Sequence, residues 1–157
     1  MKHYRLFIDG EFVDSASGKT EESINPFNQE VVARWSCAGI EDTRAAITAA
    51  RKAFDDGPWP RMSREERSAL LKAVSDGINA KAKSLVALET ADSGSTIRKA
   101  GEDIFLSARA MNYFSKLAAM NLEEPVEGLG KPGFSRNLLV REPIGVVGAI
   151  IPWNFPL

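Results

Sequence analysis

The chain has 157 residues, 44% of them hydrophobic and 26% charged, with a formal net charge of −1, which suits an ordinary globular domain with a core of useful size. The balanced charge leaves no basic footprint for nucleic acid and no polybasic patch for a membrane surface. One cysteine, Cys37, excludes an internal disulfide and a cysteine-rich metal site.

The amino terminus, MKHYRLFIDGEF, lacks the apolar stretch of a signal peptide. A reducing cytoplasm is the expected compartment. Leu6 to Val13 reads as two short strands around an Asp9-Gly10 turn. Asn25-Pro26 starts a turn, and Glu30 to Cys37 reads as a further strand. Cys37 is the sole thiol, so it must be considered as a nucleophile. It lies in a strand pattern, away from any helix amino terminus, with the lone His3 at the expected frayed end. Nothing in the sequence lowers its pKa, and it is read as a packing residue.

Glu41 to Phe54 carries Ala46, Ala49, Ala50, Ala53 and Phe54 on one helical face, and Asp56-Gly57-Pro58 stops the helix. Ser63-Arg64-Glu65-Glu66 has the spacing of a capping box, followed by Leu70, Leu71, Val74 and Ile78 at helical steps. The charges of that first turn are read as solvated rather than as an acid–base cluster. Another helix runs from about Lys81 to Ala91 and stops near Ser93-Gly94. A long one spans about Thr96 to Met120, with Ile97, Ala100, Ile104, Ala108, Met111, Ser115 and Ala118 as its core stripe. Met111 and Tyr113 are read as packing residues. Pro125 to Gly133 reads as a loop, and Phe134 to Glu142 as an exposed strand.

Ile144 to Ile151 contains only Ile, Val, Ala and Gly. A β-branched run of that length predicts a strand buried on both faces, and it is too short to cross a bilayer. Pro152 ends it, and Trp153-Asn154-Phe155-Pro156 follows. Ligands of open α/β sheets sit beyond the carboxyl ends of strands, so Asn154 is the first candidate functional residue. On the residues alone a second reading stands beside it: two prolines and two rings make a rigid corner in which Asn154 bonds its own backbone. Gly145 and Gly148 lie within the run rather than in a strand-to-helix turn, so they make no dinucleotide fingerprint.

IGVVGAIIPWNFPL resembles the strand and catalytic-asparagine segment of the aldehyde dehydrogenase superfamily. LFIDGEFVDS, INPFNQEVV, WPRMSREERSALLKAVSDGI, LETADSG and NLLVREPIG fit the same family in the same order, so the resemblance covers essentially the whole chain. Members are considerably longer, and the chain looks like an amino-terminal portion. The resemblance implies an α/β fold of aldehyde dehydrogenase type. Residues 1–133 would be the amino-terminal hairpin and the helical part of the cofactor-binding domain, residues 134–143 an arm-like strand used in oligomerisation, and residues 144–157 the first strand of the dinucleotide-binding sheet with the catalytic-asparagine segment.

The implied activity is oxidation of an aldehyde to a carboxylic acid with NAD or NADP. Asn154 would be the oxyanion donor, and Ile150, Ile151, Pro152 and Trp153 match positions that line the cofactor. The family's nucleophilic cysteine, its general-base glutamate, its phosphate-binding glycine turn and its ribose-reading residues match nothing here, so the 157 residues alone are expected to be inactive. A homo-oligomer is implied for the full-length protein, with no nucleic acid, membrane or divalent-metal partner. In many relatives a carboxylate like Asp92 and a carbonyl near Ile24 hold a monovalent cation; Asp92 reads equally well as a helix-terminal turn residue. Gly94-Ser95-Thr96 departs from the Gly-Lys-Pro that relatives often carry. The alternative reading is a non-catalytic chain that serves as an interaction or oligomerisation module, because an unpaired Ile144–Ile151 strand would demand cover.

Overall fold

The computed structural model describes residues 1–127, 133 and 135–157. Strands β1 (His3–Tyr4), β2 (Leu6–Ile8), β3 (Glu11–Val13), β4 (Thr20–Ile24) and β5 (Val31–Ser36) come first. Helices α1 (Ile40–Asp56), α2 (Arg64–Ala80), α3 (Ala82–Ser93) and α4 (Ile97–Ala118) follow, then strands β6 (Glu123–Val126) and β7 (Asn137–Val140).

The hairpin forms where the Asp-Gly pair predicts it. Asp9 and Gly10 have φ of 52° and 85°, the double positive φ that a two-residue turn matched to strand twist requires. Leu6 pairs with Val13 and Phe7 with Phe12, whose rings lie 5.1 Å apart. Phe7, Ile8 and the turn line a shallow open groove with Ala46, Ala49, Ala50 and Ala53 of α1. The amino terminus is not frayed: β1 pairs in parallel with β5, and the His3 Nε2 lies 3.0 Å from Ser36 Oγ. Strand β4, which no hydrophobic pattern announced, pairs antiparallel on the other side of β5.

Helix starts follow their caps. The Asp42 carboxylate accepts hydrogen bonds from the Gly39 amide at 2.8 Å and the Ala16 amide at 2.9 Å. These bonds hold its pKa below the ordinary carboxylate value, against the opposing effect of burial. Ser63 Oγ accepts from the Glu66 amide at 3.1 Å, and the Glu66 carboxylate accepts from the Ser63 amide at 2.7 Å, so both halves of the capping box are made. Thr96 Oγ1 caps α4 by accepting from the Lys99 amide at 3.2 Å.

The most extensive helix pair is α2 with α4. Ala100, Ile104 and Ala108 of α4 are buried, and Ser75 of α2 donates to the Ala108 carbonyl at 2.8 Å. The expected α2 stripe is rotated: Leu71 and Ile78 are half-buried, whereas Leu70 and Val74 are exposed and Ser75 faces α4. Small residues bring the helices together, which moves the contact off the leucine ridge. Ile97, expected in the α4 stripe, is exposed; it opens the first turn of α4 and lines an open groove with Thr90 and Ala91 of α3 rather than packing into it.

Gly94 ends α3 with φ of 71°, and a Cβ there would meet Pro26 Cγ at 2.7 Å. Gly94→Ala therefore combines a left-handed backbone with a contact against the turn before β5. It is expected to cost about 1–2 kcal/mol, read as a lower urea midpoint at unchanged m-value.

Two expectations about the carboxyl-terminal third need correction. Pro125 and Val126 belong to β6, paired with Leu138 and Asn137 of β7, so the loop expected over Pro125 to Gly133 starts later. Residues 128–132 and 134 of that loop and of the strand after it lie outside the described residues. The strand expected over Ile144 to Ile151 is not formed. The run pairs with no described strand, and Ile144 and Ile150 are 96% and 99% exposed. A strand exists through ladder bonds, and one buried on both faces also needs two covering layers. The described residues offer neither to this run.

Candidate functional site

The segment Ile150–Leu157 leaves the apolar run and turns back onto α3 and α4. The Phe155 amide donates to the Pro152 carbonyl at 3.2 Å, which makes the corner expected of PWNFP. The Lys99 ammonium donates to the Asn154 carbonyl at 2.9 Å and sits 4.4 Å from the centroid of the Phe155 ring. Ser107 Oγ donates to the Leu157 carbonyl at 3.0 Å. Pro156 and Leu157 close a cavity of about 180 Å³ with Leu85, Leu88, Asp92 and Ile104.

The five candidate residues stay together and face outward. Ile150 and Ile151 are exposed, Trp153 is 84% exposed, and Pro152 and Asn154 are exposed as well. The Asn154 backbone is anchored, while its side-chain amide makes no hydrogen bond among the described residues. The bond to its own backbone that a rigid corner would give Asn154 is therefore not made among the described residues.

Residues that the sequence reading passed over lie beneath this turn. Glu89 of α3 and Asp103 of α4 are 6% and 8% exposed. Lys99 pairs with Asp103 and lies 3.8 Å from Glu89 Oε1. Both Glu89 oxygens lack a hydrogen-bond partner among the described residues. Burial, then the neighbouring Asp103 carboxyl, raises the Glu89 pKa above its ordinary 4.5, with Lys99 opposing. The Lys99–Asp103 spacing of four was the only sequence signal, and it looked like any solvated helix pair.

A carboxyl raised in the fold contributes stability that is complete below its unfolded pKa and is lost as pH rises through the folded one. Glu89→Gln keeps the shape of the neutral acid. Its melting temperature is expected to gain on the parent's as pH rises from about 4 to about 8. A gap between the two that is constant across that range would contradict the assignment.

Cys37 is half-buried in its surroundings and carries a raised pKa, from burial first and the Glu21 carboxylate second, with Lys19 opposing. A raised thiol is a poor nucleophile at neutral pH, in line with a packing role. Asp92 accepts a hydrogen bond from the Ser23 hydroxyl next to Ile24, so the fold brings the two positions of the possible cation site near each other. Among the described residues no three His, Cys, Asp or Glu side chains cluster as metal ligands, and no helix is long and apolar enough to cross a membrane.

The sequence profile of the aldehyde dehydrogenase family matches residues 12–157. The chain belongs to that family. It is 41% identical to aldehyde dehydrogenase family 2 member B4, mitochondrial, of Arabidopsis thaliana, over all of this chain and 29% of that protein. It is 37% identical to betaine aldehyde dehydrogenase of Bacillus subtilis (strain 168), over 97% of this chain and 31% of that protein. The fold superposes on an NAD-dependent aldehyde dehydrogenase from Sinorhizobium meliloti with a TM-score of 0.91 and 41% identity, covering 99% of this chain and 31% of that one. A betaine aldehyde dehydrogenase from Staphylococcus aureus in complex with NAD+ superposes with a TM-score of 0.88 at 38% identity, covering 96% and 30%. The chain therefore has the α/β fold of these enzymes over the part it matches, and spans less than a third of the relatives it matches.

Proposed function

We propose that this chain supplies the oxyanion-donor segment of an NAD(P)-dependent dehydrogenase that oxidises an aldehyde to a carboxylic acid. The observation that carries the reading is the outward-facing Asn154 amide on an anchored turn, in a chain of this family. When a thiolate adds to an aldehyde, the carbonyl oxygen becomes an alkoxide. A neutral amide N–H aimed at that oxygen stabilises it without quenching the thiolate or the base that frees the acid.

NAD or NADP, when bound, takes up the hydride. The exposed apolar strip Ile150, Ile151, Pro152 and Trp153 fits one side of such a cofactor, offering apolar contact and excluding water. The attacking thiolate, the water-activating carboxylate and the phosphate-binding turn are assigned to residues outside these 157. Residues 1–133 then form the hairpin and helical part of the cofactor-binding domain, 134–143 an oligomerisation arm of a homo-oligomer, and 144–157 the first sheet strand once its neighbours are present. The cytoplasm remains the proposed compartment.

A second reading, a non-catalytic interaction module, draws on the exposure of Ile144, Val147 and Ile150, which calls for covering protein in either case. Aldehyde-dependent NADH or NADPH production separates the two. The 157 residues alone are expected to give none, and the product of the complete coding sequence robust turnover. A folded complete product that turns over no aldehyde with either cofactor would leave the interaction module standing.

A further inference from the structure

We propose that Lys99 is a positioning residue for Asn154: gripped by the buried Asp103 and Glu89, its ammonium fixes the Asn154 backbone and so sets where the side-chain amide points. The inference rests on the reading of Asn154 as the oxyanion donor.

Lys99 differs from the other helix pairs at the same spacing. Lys72–Asp76 and Arg98–Glu102 are exposed on both partners, where such a pair is solvated and contributes little. Asp103 and Glu89 are buried, on two different helices. A buried carboxylate is costly without a cation, and the Lys99 ammonium is the cation at Asp103, with the Glu89 carboxyl beside it. An ammonium has three donors. One goes to Asp103, and Glu89 is near at 3.8 Å. Another reaches 55 residues along the chain to the Asn154 carbonyl at 2.9 Å.

The grip on the turn is double. The same ammonium faces the Phe155 ring, so the carbonyl of Asn154 and the side chain that follows it are both tied to one point. With the Phe155 amide bonded back to Pro152, the backbone on either side of Asn154 has little freedom left. The side-chain amide then departs from a fixed Cα. An oxyanion donor acts through being in place before charge develops, and a misplacement of about 1 Å can cost a factor of about 100 in rate. The charged pair beneath the turn thus reaches the reacting atoms through geometry alone.

The test uses the product of the complete coding sequence, with Lys99→Met, Lys99→Arg and Asn154→Ala. Two readouts are taken: hydrogen exchange at the Phe155 amide, the one amide of the turn that is hydrogen-bonded among the described residues, and the division of any rate loss between kcat and KM. Lys99→Met is expected to speed exchange at that amide by about tenfold or more and to lower kcat by about 10- to 100-fold. KM for the aldehyde is expected to stay within about threefold, because a donor to the alkoxide acts in the transition state. Lys99→Arg, which keeps the charge and donors, is expected to recover most of both.

Lys99→Met leaves two buried carboxyls without their cation, so exchange across Ile104–Ser115 is followed as a fold control. Phe155→Leu is the companion variant, since it removes the ring and leaves the charge cluster whole; it is expected to move exchange and kcat in the same direction by a smaller factor. Unchanged exchange and kcat in Lys99→Met and Phe155→Leu would overturn the proposal. Asn154→Ala is judged apart: a kcat that survives it refutes the reading of Asn154, while the exchange data still decide whether Lys99 holds the turn.

Discussion

Asn154→Ala is expected to lower kcat for aldehyde oxidation by about 10²–10³-fold in the product of the complete coding sequence, with KM nearly unchanged. That range is what the loss of one oxyanion donor costs in acyl-transfer enzymes, about 3–4 kcal/mol of transition-state stabilisation. The alkoxide is formed only on the way through the reaction, so an interaction with it lowers kcat rather than raising KM. Stability is expected to change by no more than about 0.5 kcal/mol, because the Asn154 side chain is exposed and makes no hydrogen bond among the described residues. The activity loss and the melting temperature are thus separable in one variant. A kcat within a few-fold of the parent's, in a protein of unchanged melting temperature, would return PWNFP to the status of a rigid corner. The first clue to this residue was chemical rather than statistical: a lone amide among rings and prolines beyond an apolar run.

Features encoded by local chemistry were legible in the sequence. Asp9-Gly10 could hardly be anything but a turn with positive φ at both positions, and it is one. Ser63 and Glu66 needed only each other, and Gly94 needed only to be a glycine. Features that depend on a distant partner were not legible. Ile144–Ile151 has the composition of a buried strand, but no described strand lies beside it. β4, TEESI, has poor strand propensity and forms because β5 offers it a ladder. Lys99, Asp103 and Glu89 looked like helix-surface charges, because periodicity along one helix cannot show that another helix and a turn 55 residues away close over them. The same limit explains Leu70 and Val74. They share the helical spacing of Leu71, and only the approach of α4 at Ser75 decides which ridge is covered.

Ile104→Ala is expected to destabilise this chain by about 2–4 kcal/mol, within the range for removing a buried isoleucine side chain. Ile104 is 2% exposed and stands between α3 and α4, with Leu157 closing over one side. The upper end of the range is not expected, because a groove lined by Val86, Ala87, Phe105 and Ile104 already adjoins it and lets neighbours relax into the space. What makes the loss severe is how little else is buried. Ala33, Ala100, Ile104 and Ala108 are the buried hydrophobic residues among those described, and the accessible surface is 12083 Å². A compact monomer of 17.1 kDa exposes only about 7,700 Å². The excess is surface of a kind that a larger protein covers, so the isolated chain is expected at or below the low end of domain stability, about 5 kcal/mol. Removing roughly half of that from one site should shift the urea midpoint by more than 1 M for an m-value of about 1–2 kcal/mol/M. Leu70→Ala, on an exposed ridge of α2, is the matched control and should cost less than about 1 kcal/mol in this chain. Equal costs at the two positions would mean that the core is not where the α3–α4 contact puts it. In the product of the complete coding sequence the control should become costlier if further protein packs on that ridge, which ties the stability measurement to the same question of cover that separates a catalytic assembly from a free-standing module.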